Sequence, residues 1–273
     1  MAEAPESERS AEGQRQQSLQ SLERGMAVIQ VFSRERPALT LSEVAQLTGL
    51  TRATARRILL TLEKLGHVRS DGRLFSPTPR LLTLGWAYLS SLDFSELALP
   101  LMEELVEETH ESCSAATLDL PDVVYVARVP TRRIMSITLN VGSRLPAHCT
   151  SMGRVLLAAL PPDELDAYLS EATLEQWTPR TIDDPDRLRK SVEETRQRGW
   201  ALVDQELEIG LRSVAAPIRR GAETIAALNV SSSVPRVSLD DLRRRILPPL
   251  VATATAISDA LTQQGRAQDR RAS

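Results

Sequence analysis

Between Leu39 and Phe75 the sequence admits few folds, because two short amphipathic helices, a glycine turn and a basic hairpin follow one another without a spare residue. Thr40-Leu41-Ser42-Glu43 has the spacing of a capping box, in which the Thr hydroxyl accepts from the Glu backbone N–H while the carboxylate reaches back. Leu41, Val44 and Leu47 then share one side, and Gly49 interrupts the pattern at a point where the chain must turn. Thr51 caps a second helix with Ala55, Ile58, Leu59, Leu62 and Leu65 on its buried stripe, leaving Arg52, Arg56 and Arg57 for another face. Beyond Gly66, Val68 to Phe75 places an Asp71-Gly72 turn between two β-capable runs, a strong hairpin signal. The order predicts a winged helix-turn-helix.

Charge points the same way. From Arg34 to Arg80 there are nine Lys or Arg residues against four acids, so this segment carries +5 inside a chain of net −3. A phosphate backbone responds to such local charge and not to the overall balance. A helix fits the major groove, its first side chains reach base edges, and guanidinium groups read guanine bidentately. Arg52, Arg56 and Arg57, with Arg69 and Arg73 on the wing, are therefore the candidate DNA contacts, and Thr51 and Thr54 add hydroxyls at the helix start.

The 273 residues suffice for a small N-terminal domain and a larger one after it. With aromatics at 3%, the cores must be built from Leu, Val, Ile and Ala, and a stacking platform for single-stranded nucleic acid is not expected. Cys113 and Cys149 form neither a disulfide framework nor a metal knuckle. The N-terminal stretch lacks an apolar signal core and no run approaches a membrane span. A cytoplasmic protein with no membrane partner and no cofactor is expected.

Residues 1–17 are polar and aperiodic and read as a disordered tail. A support helix through Leu22, Met26 and Ile29 completes, with the wing, a reading domain over 18–77. Thr78-Pro79 opens a linker helix over 78–94, with Leu81, Leu82, Trp86, Tyr88, Leu89 and Leu92 covering more than one face, which predicts self-pairing. Residues 95–262 mix helices with strands: Ser95 to Glu111 is helical, and Ser114–Leu120, Val123–Val129 and Ile134–Val141 form an antiparallel meander. Gly142 to Gly153 reads as a loop into a helix that ends before Pro161. Two further helices, Pro162–Ser170 and Asp184–Arg198, precede strands Trp200–Asp204, Ser213–Arg219 and Thr224–Ser232. The last helix, from Ser238, is expected to bend at Pro248-Pro249, and 263–273 reads as a polar tail. The fold class is α+β.

With these residues in view the chain resembles the IclR family of bacterial transcriptional regulators. The resemblance rests on Leu41-Ser42-Glu43-Val44-Ala45 through Thr51 to Leu59, on Gly142 to His148 with Gly153 to Ala158, and on Gly210 to Ile218. It implies an effector-binding domain with a curved antiparallel sheet flanked by helices, GAF- or profilin-like, and assembly as a homodimer or dimer of dimers on a double-stranded operator. Tyr125 to Val129 and Arg144 to Arg154 are most similar to regulators of aromatic-acid and β-ketoadipate-pathway genes, which implies a small organic-acid effector, an aromatic acid or a dicarboxylate. By the same resemblance the effector sits near Met135, Ser151, Met152, Gly153, Asp204, Ser213, Asn229 and Ser231, with Met152 where relatives often carry a small residue. The helix start at Ser151 offers free N–H groups that suit a carboxylate, Thr150 adds a hydroxyl, and Arg128, Arg144 and Arg212 are candidate counter-charges.

A different class of function is open at His148-Cys149: a thiol nucleophile with its base, or part of a metal site. Adjacent residues rarely align nucleophile and base, no orienting Asn or Asp is identifiable, and no ligand spacing demands a metal. The expectation is a buried thiol beside a hydrogen-bonded histidine, with no catalytic and no metal residues. His67 and His110 read as a wing-base and a helix-end residue.

Overall fold

The computed structural model describes residues 19–33, 35–91, 94–131 and 139–272, and divides into two compact units, Met1–Tyr88 and Leu89–Ser273. In the first, α1 (Gln20–Gln30) precedes β1 (Leu39–Thr40), α2 (Leu41–Thr48), α3 (Arg52–Lys64), β2 (Val68–Ser70) and β3 (Leu74–Pro77). The capping box forms: Thr40 N donates to the Glu43 carboxylate at 2.7 Å, and Glu43 N to Thr40 Oγ1 at 3.3 Å. Gly49 ends α2 at φ 67°, a backbone that a Cβ would disfavour. Val28, Val44, Ala45, Ala55, Leu59 and Leu62 close the core. The support helix exists, but Val28 is its fully buried residue, while Leu22 and Met26 stay exposed along an open groove beside α3.

The wing turns on Asp71, whose Oδ1 accepts from Arg73 N and Leu74 N at 2.9 and 2.7 Å. β3 is central in a three-stranded sheet because β1, too short to be legible in the sequence, pairs with it. A 3-10 turn, Pro79–Leu81, then leads into α4 (Leu82–Ser91). Leu82, Leu84, Trp86 and Tyr88 on α4 are exposed in the single chain.

The second unit comprises α5 (Phe94–Thr109), β4 (Ser112–Asp119), β5 (Asp122–Val129), β6 (Arg144–Pro146), α6 (Ser151–Ala159), α7 (Pro162–Glu171), α8 (Pro185–Arg198), β7 (Ala201–Asp204), β8 (Leu211–Arg220), β9 (Glu223–Ser233) and α9 (Leu247–Ala272). Among the described residues its strands form one antiparallel sheet in the order β6-β5-β4-β9-β8-β7. Bulges at Ala115/Ala116 and Ile218/Arg219 curve the strands. One face buries Cys113, Ala115, Val214, Ile218 and Val230 against Met102 and Leu105 of α5 and Leu250 and Ile257 of α9. The other face packs Ala116, Tyr125, Ala215 and Ala227 against Met152, Val155 and Leu156 of α6, with α7 and α8 outside it.

Two expectations change. The strand expected over Ile134–Val141 lies largely outside the described residues, and Val141-Gly142 is a turn; the strand is instead Arg144–Pro146, which the sequence suggested was loop. It is legible only from its partner Asp122–Val124, and Pro146, lacking an N–H, ends it. Residues 263–272, expected as a tail, continue α9, since Gln, Ala and Arg are good helix formers. The last helix opens with a turn Leu239–Asp241 and a π-helical turn Leu242–Ile246, closed by Leu247 N donating to Leu242 O, immediately before Pro248 and Pro249. Among the described residues no helix is long and apolar enough to cross a membrane.

Candidate functional site

Two places carry the candidate residues. On the first unit, α3 opens at Thr51, whose Oγ1 accepts from Thr54 N at 3.2 Å and donates to Thr54 Oγ1 at 2.9 Å. Both hydroxyls are thus engaged with the helix start. Arg52 and Arg56 are exposed one turn apart on one flank of α3. Arg57 is exposed as well, but on the other flank, where it lines the groove against α1 with Met26, Ile58 and Thr61. Arg69 on β2 and Arg73 at the wing tip are exposed, which places guanidinium groups on both the helix and the hairpin.

The second place is a pocket between the sheet and the start of α6. Strand register sets its floor: Arg128 and Asn229 flank Ser114 in a row across β5, β4 and β9, and Ser231, Ser213 and Val203 lie in the next row across β9, β8 and β7. Arg128 donates to Ser114 Oγ at 3.1 Å, and Ser213 to Ser151 Oγ at 2.8 Å. Asn229, only 4% exposed, gives its Nδ2 to Ser231 Oγ at 3.0 Å and leaves Oδ1 buried with no hydrogen-bond partner among the described residues. An orphaned buried acceptor is costly, so this atom is suited to a group that arrives with a hydrogen to donate.

Of the residues expected here, Thr150, Ser151, Ser213, Asn229 and Ser231 line the pocket together with Arg128. Met152 does not: one position further round the helix, its side chain is buried in the core between α6 and the sheet. Gly153 lies behind the lining, packed on the Ala147 backbone. Asp204 and Arg212 neutralise one another, with Arg212 Nε donating to Asp204 Oδ1 at 3.0 Å and a second nitrogen to Val237 O, while Arg180 takes the other Asp204 oxygen at 2.9 Å. Arg144 is at the surface with Asp119 and Asp122. Met135 lies outside the described residues. The apolar walls, Tyr125, Leu145, Val203, Leu207 and Leu211, were missed; strand alternation points to Tyr125 and Val203, but nothing local marks Leu207 in its irregular connection.

His148 and Cys149 do not pair. The His148 ring donates from Nε2 to the Glu175 carbonyl at 3.0 Å, and burial holds its pKa down. The Cys149 thiol faces Pro146 O at 3.9 Å and is pushed up to about 12 by burial. Among the described residues no group of three or more His, Cys, Asp and Glu is placed to hold a metal ion.

A winged-helix reader joined to a domain with a polar-floored pocket is the construction of a one-component transcriptional regulator. Residues 21–72 match the IclR helix-turn-helix domain and residues 86–259 the bacterial transcriptional regulator IclR C-terminal domain. The chain belongs to the IclR family and is a DNA-binding transcriptional regulator. It is 47% identical over 236 residues to the Pca regulon regulatory protein of Pseudomonas putida, covering 86% of this chain and 81% of that one. A solved regulator from Rhodococcus sp. RHA1 shares 51% identity with a TM-score of 0.80, covering 90% of this chain and 99% of that one. An IclR homologue from Microbacterium hydrocarbonoxydans, solved with 4-hydroxybenzoate, shares 26% identity with a TM-score of 0.79 over 88% and 98% of the two chains.

Proposed function

We propose that this regulator acts in the cytoplasm as a dimer or dimer of dimers, controls aromatic-acid catabolic genes, and senses a small organic acid in the pocket beneath α6. Residues 18–77 read the operator through Thr51, Arg52, Thr54, Arg56, Arg57, Arg69 and Arg73, residues 78–94 link, and residues 95–262 sense. Identity to a Pca regulon regulator and likeness to a homologue holding 4-hydroxybenzoate support the pathway. The observation that carries the sensing role is the pocket itself, which combines one arginine, the Ser151–Ser213 hydroxyl pair and an orphaned Asn229 oxygen among apolar walls. Arg128 supplies the counter-charge for a carboxylate, the first turn of α6 supplies N–H groups, and the leucines and Tyr125 cover the body of the acid. Exposed Trp86 and its neighbours on α4 form part of the dimer contact.

Calorimetry with 4-hydroxybenzoate, 3,4-dihydroxybenzoate and adipate tests the site. The Ser151→Trp and Asn229→Ala variants should each bind the preferred acid about tenfold or more weakly, in proportion to the hydrogen bonds and volume lost. Undiminished affinity in both would move the pocket elsewhere. Because the effector acts by favouring one setting of the paired reading heads, it must change operator affinity by the same factor by which operator changes its own.

We infer that the second unit is not catalytic. A thiol titrating at about 12 is protonated at neutral pH, so Cys149 is a poor nucleophile. Alkylation of native protein by iodoacetamide at pH 8 should therefore leave Cys149 unmodified long after an unstructured thiol has reacted. Rapid modification at that pH would reopen the thiol chemistry.

A further inference from the structure

One buried ion pair ties α6 to the β7–β8 connection. Arg154, on the first turn of α6, is 2% exposed. Its Nε donates to the His148 carbonyl at 2.7 Å, one terminal nitrogen donates to the Ser191 hydroxyl on α8, and the other to Glu206 Oε2 at 2.6 Å. Glu206 is 9% exposed, and the same carboxylate oxygen accepts from Ile182 N at 3.3 Å while its carbonyl accepts from Thr181 Oγ1 at 2.6 Å. Burial pushes the Glu206 carboxyl up and the Arg154 guanidinium down, with each charge opposing the shift of the other. Burying two charges is expensive, and apolar side chains of similar volume often serve stability as well or better. Stability alone is therefore a weak reason for the pair.

What it joins is more informative. His148 immediately precedes Cys149, Thr150 and Ser151, which line the pocket from the α6 side, and Glu206 immediately precedes Leu207, which lines it from the β7–β8 connection. That connection leaves β7 through Gln205 at φ 62°, a left-handed backbone that a residue with a Cβ adopts at a cost and that surrounding contacts must hold. Thr178 Oγ1 holds the Gln205 carbonyl at 2.7 Å, and Arg154 holds the next side chain.

We propose that Arg154 is a positioning residue of the effector pocket: through the His148 carbonyl and the Glu206 carboxylate, its guanidinium fixes the spacing of the α6 wall and the β7–β8 wall without touching the ligand. Its consequence for affinity rests on the sensing role proposed above, whereas its consequence for the order of the two walls does not.

The test is the Arg154→Met/Glu206→Met double variant of the full chain, followed by amide hydrogen exchange and by titration with 4-hydroxybenzoate and 3,4-dihydroxybenzoate. Exchange should quicken about tenfold or more at Gln205–Leu211 and Ala147–Ser151, while β4 and β9 keep their protection. Affinity for the acid that the unaltered protein binds should fall about tenfold or more, with ligand-free operator affinity unchanged. A folded double variant with unaltered exchange at both walls, or with undiminished affinity, overturns the proposal. Should the double variant not fold, Arg154→Lys keeps a charge for Glu206 but loses the planar fork that reaches His148 and Ser191, and the same two readouts decide. If the unaltered protein binds neither acid, the sensing role for these acids fails, and the exchange result alone judges the clamp.

Discussion

Gly153→Ala is expected to abolish the cooperative unfolding of the second unit, or to lower its stability by more than about 4 kcal/mol, the range reserved for steric conflicts inside a core. A Cβ built at Gly153 lies 2.0 Å from the Ala147 carbonyl oxygen and 2.5 Å from its carbon and Cα, all backbone atoms that cannot swing aside. The conflict falls where the chain leaves β6, passes under the sheet and enters α6, so relieving it shifts Thr150, the cap of that helix, whose Oγ1 accepts from Gly153 N at 3.1 Å. Circular dichroism during heating reads the loss. Gly25→Ala is the control with the opposite sign, since Gly25 is inside α1 with nothing within 4 Å of its built Cβ, and removing a helical glycine should add up to about 1 kcal/mol to the first unit. A Gly153→Ala protein that melts like the unaltered one would mean that the β6–α6 crossover can yield around the Ala147 carbonyl.

Arg52→Ala and Arg56→Ala should each weaken operator binding by about 1 to 3 kcal/mol, the cost of a lost base-contacting guanidinium. Arg57→Ala should cost less, because that side chain is turned toward the groove against α1. Arg69→Ala and Arg73→Ala should instead reduce the slope of affinity against salt by about one phosphate contact each, with little change in sequence preference. Fluorescence anisotropy on operator DNA at several salt concentrations separates the two behaviours. Full affinity in the Arg52→Ala/Arg56→Ala double variant at every salt concentration would remove α3 as the recognition helix.

The first unit was legible in its capping box, glycine turn and wing because those signals are local. Thr40 and Glu43 are three residues apart, Asp71-Gly72 is its own turn, and of the stripe expected on α3 Ala55, Leu59 and Leu62 are buried and Ile58 half-buried, while Leu65, at the helix end, is exposed. Ser151, Ser213, Asn229 and Ser231 come from the family resemblance and not from the residue pattern, and they line one cavity. The pocket was not legible where direction depends on distant partners. Met152 and Ser151 are neighbours, yet only the packing of α6 on the sheet decides which of them faces the cavity. Asp204 and Arg212 have the composition of ligand contacts but satisfy each other across the β7–β8 pair, a register that the intervening loop alone does not reveal. Leu207 enters the pocket because Glu206 is held from α6, by a side chain far away in sequence.

The strand order has a consequence for how the gene tolerates interruption. β4, at the beginning of the second unit, is paired with β9, and β9 is the last strand to leave the ribosome. Until Glu223–Ser233 emerges, β4 and β8 each present an open edge and the polar floor lacks Asn229 and Ser231. The reader, by contrast, has its core and wing within the first 88 residues and can close early in synthesis. A premature stop that removes β9 should thus leave a chain with an unfinished sheet that is prone to aggregate, whether it lies near residue 130 or just before Glu223.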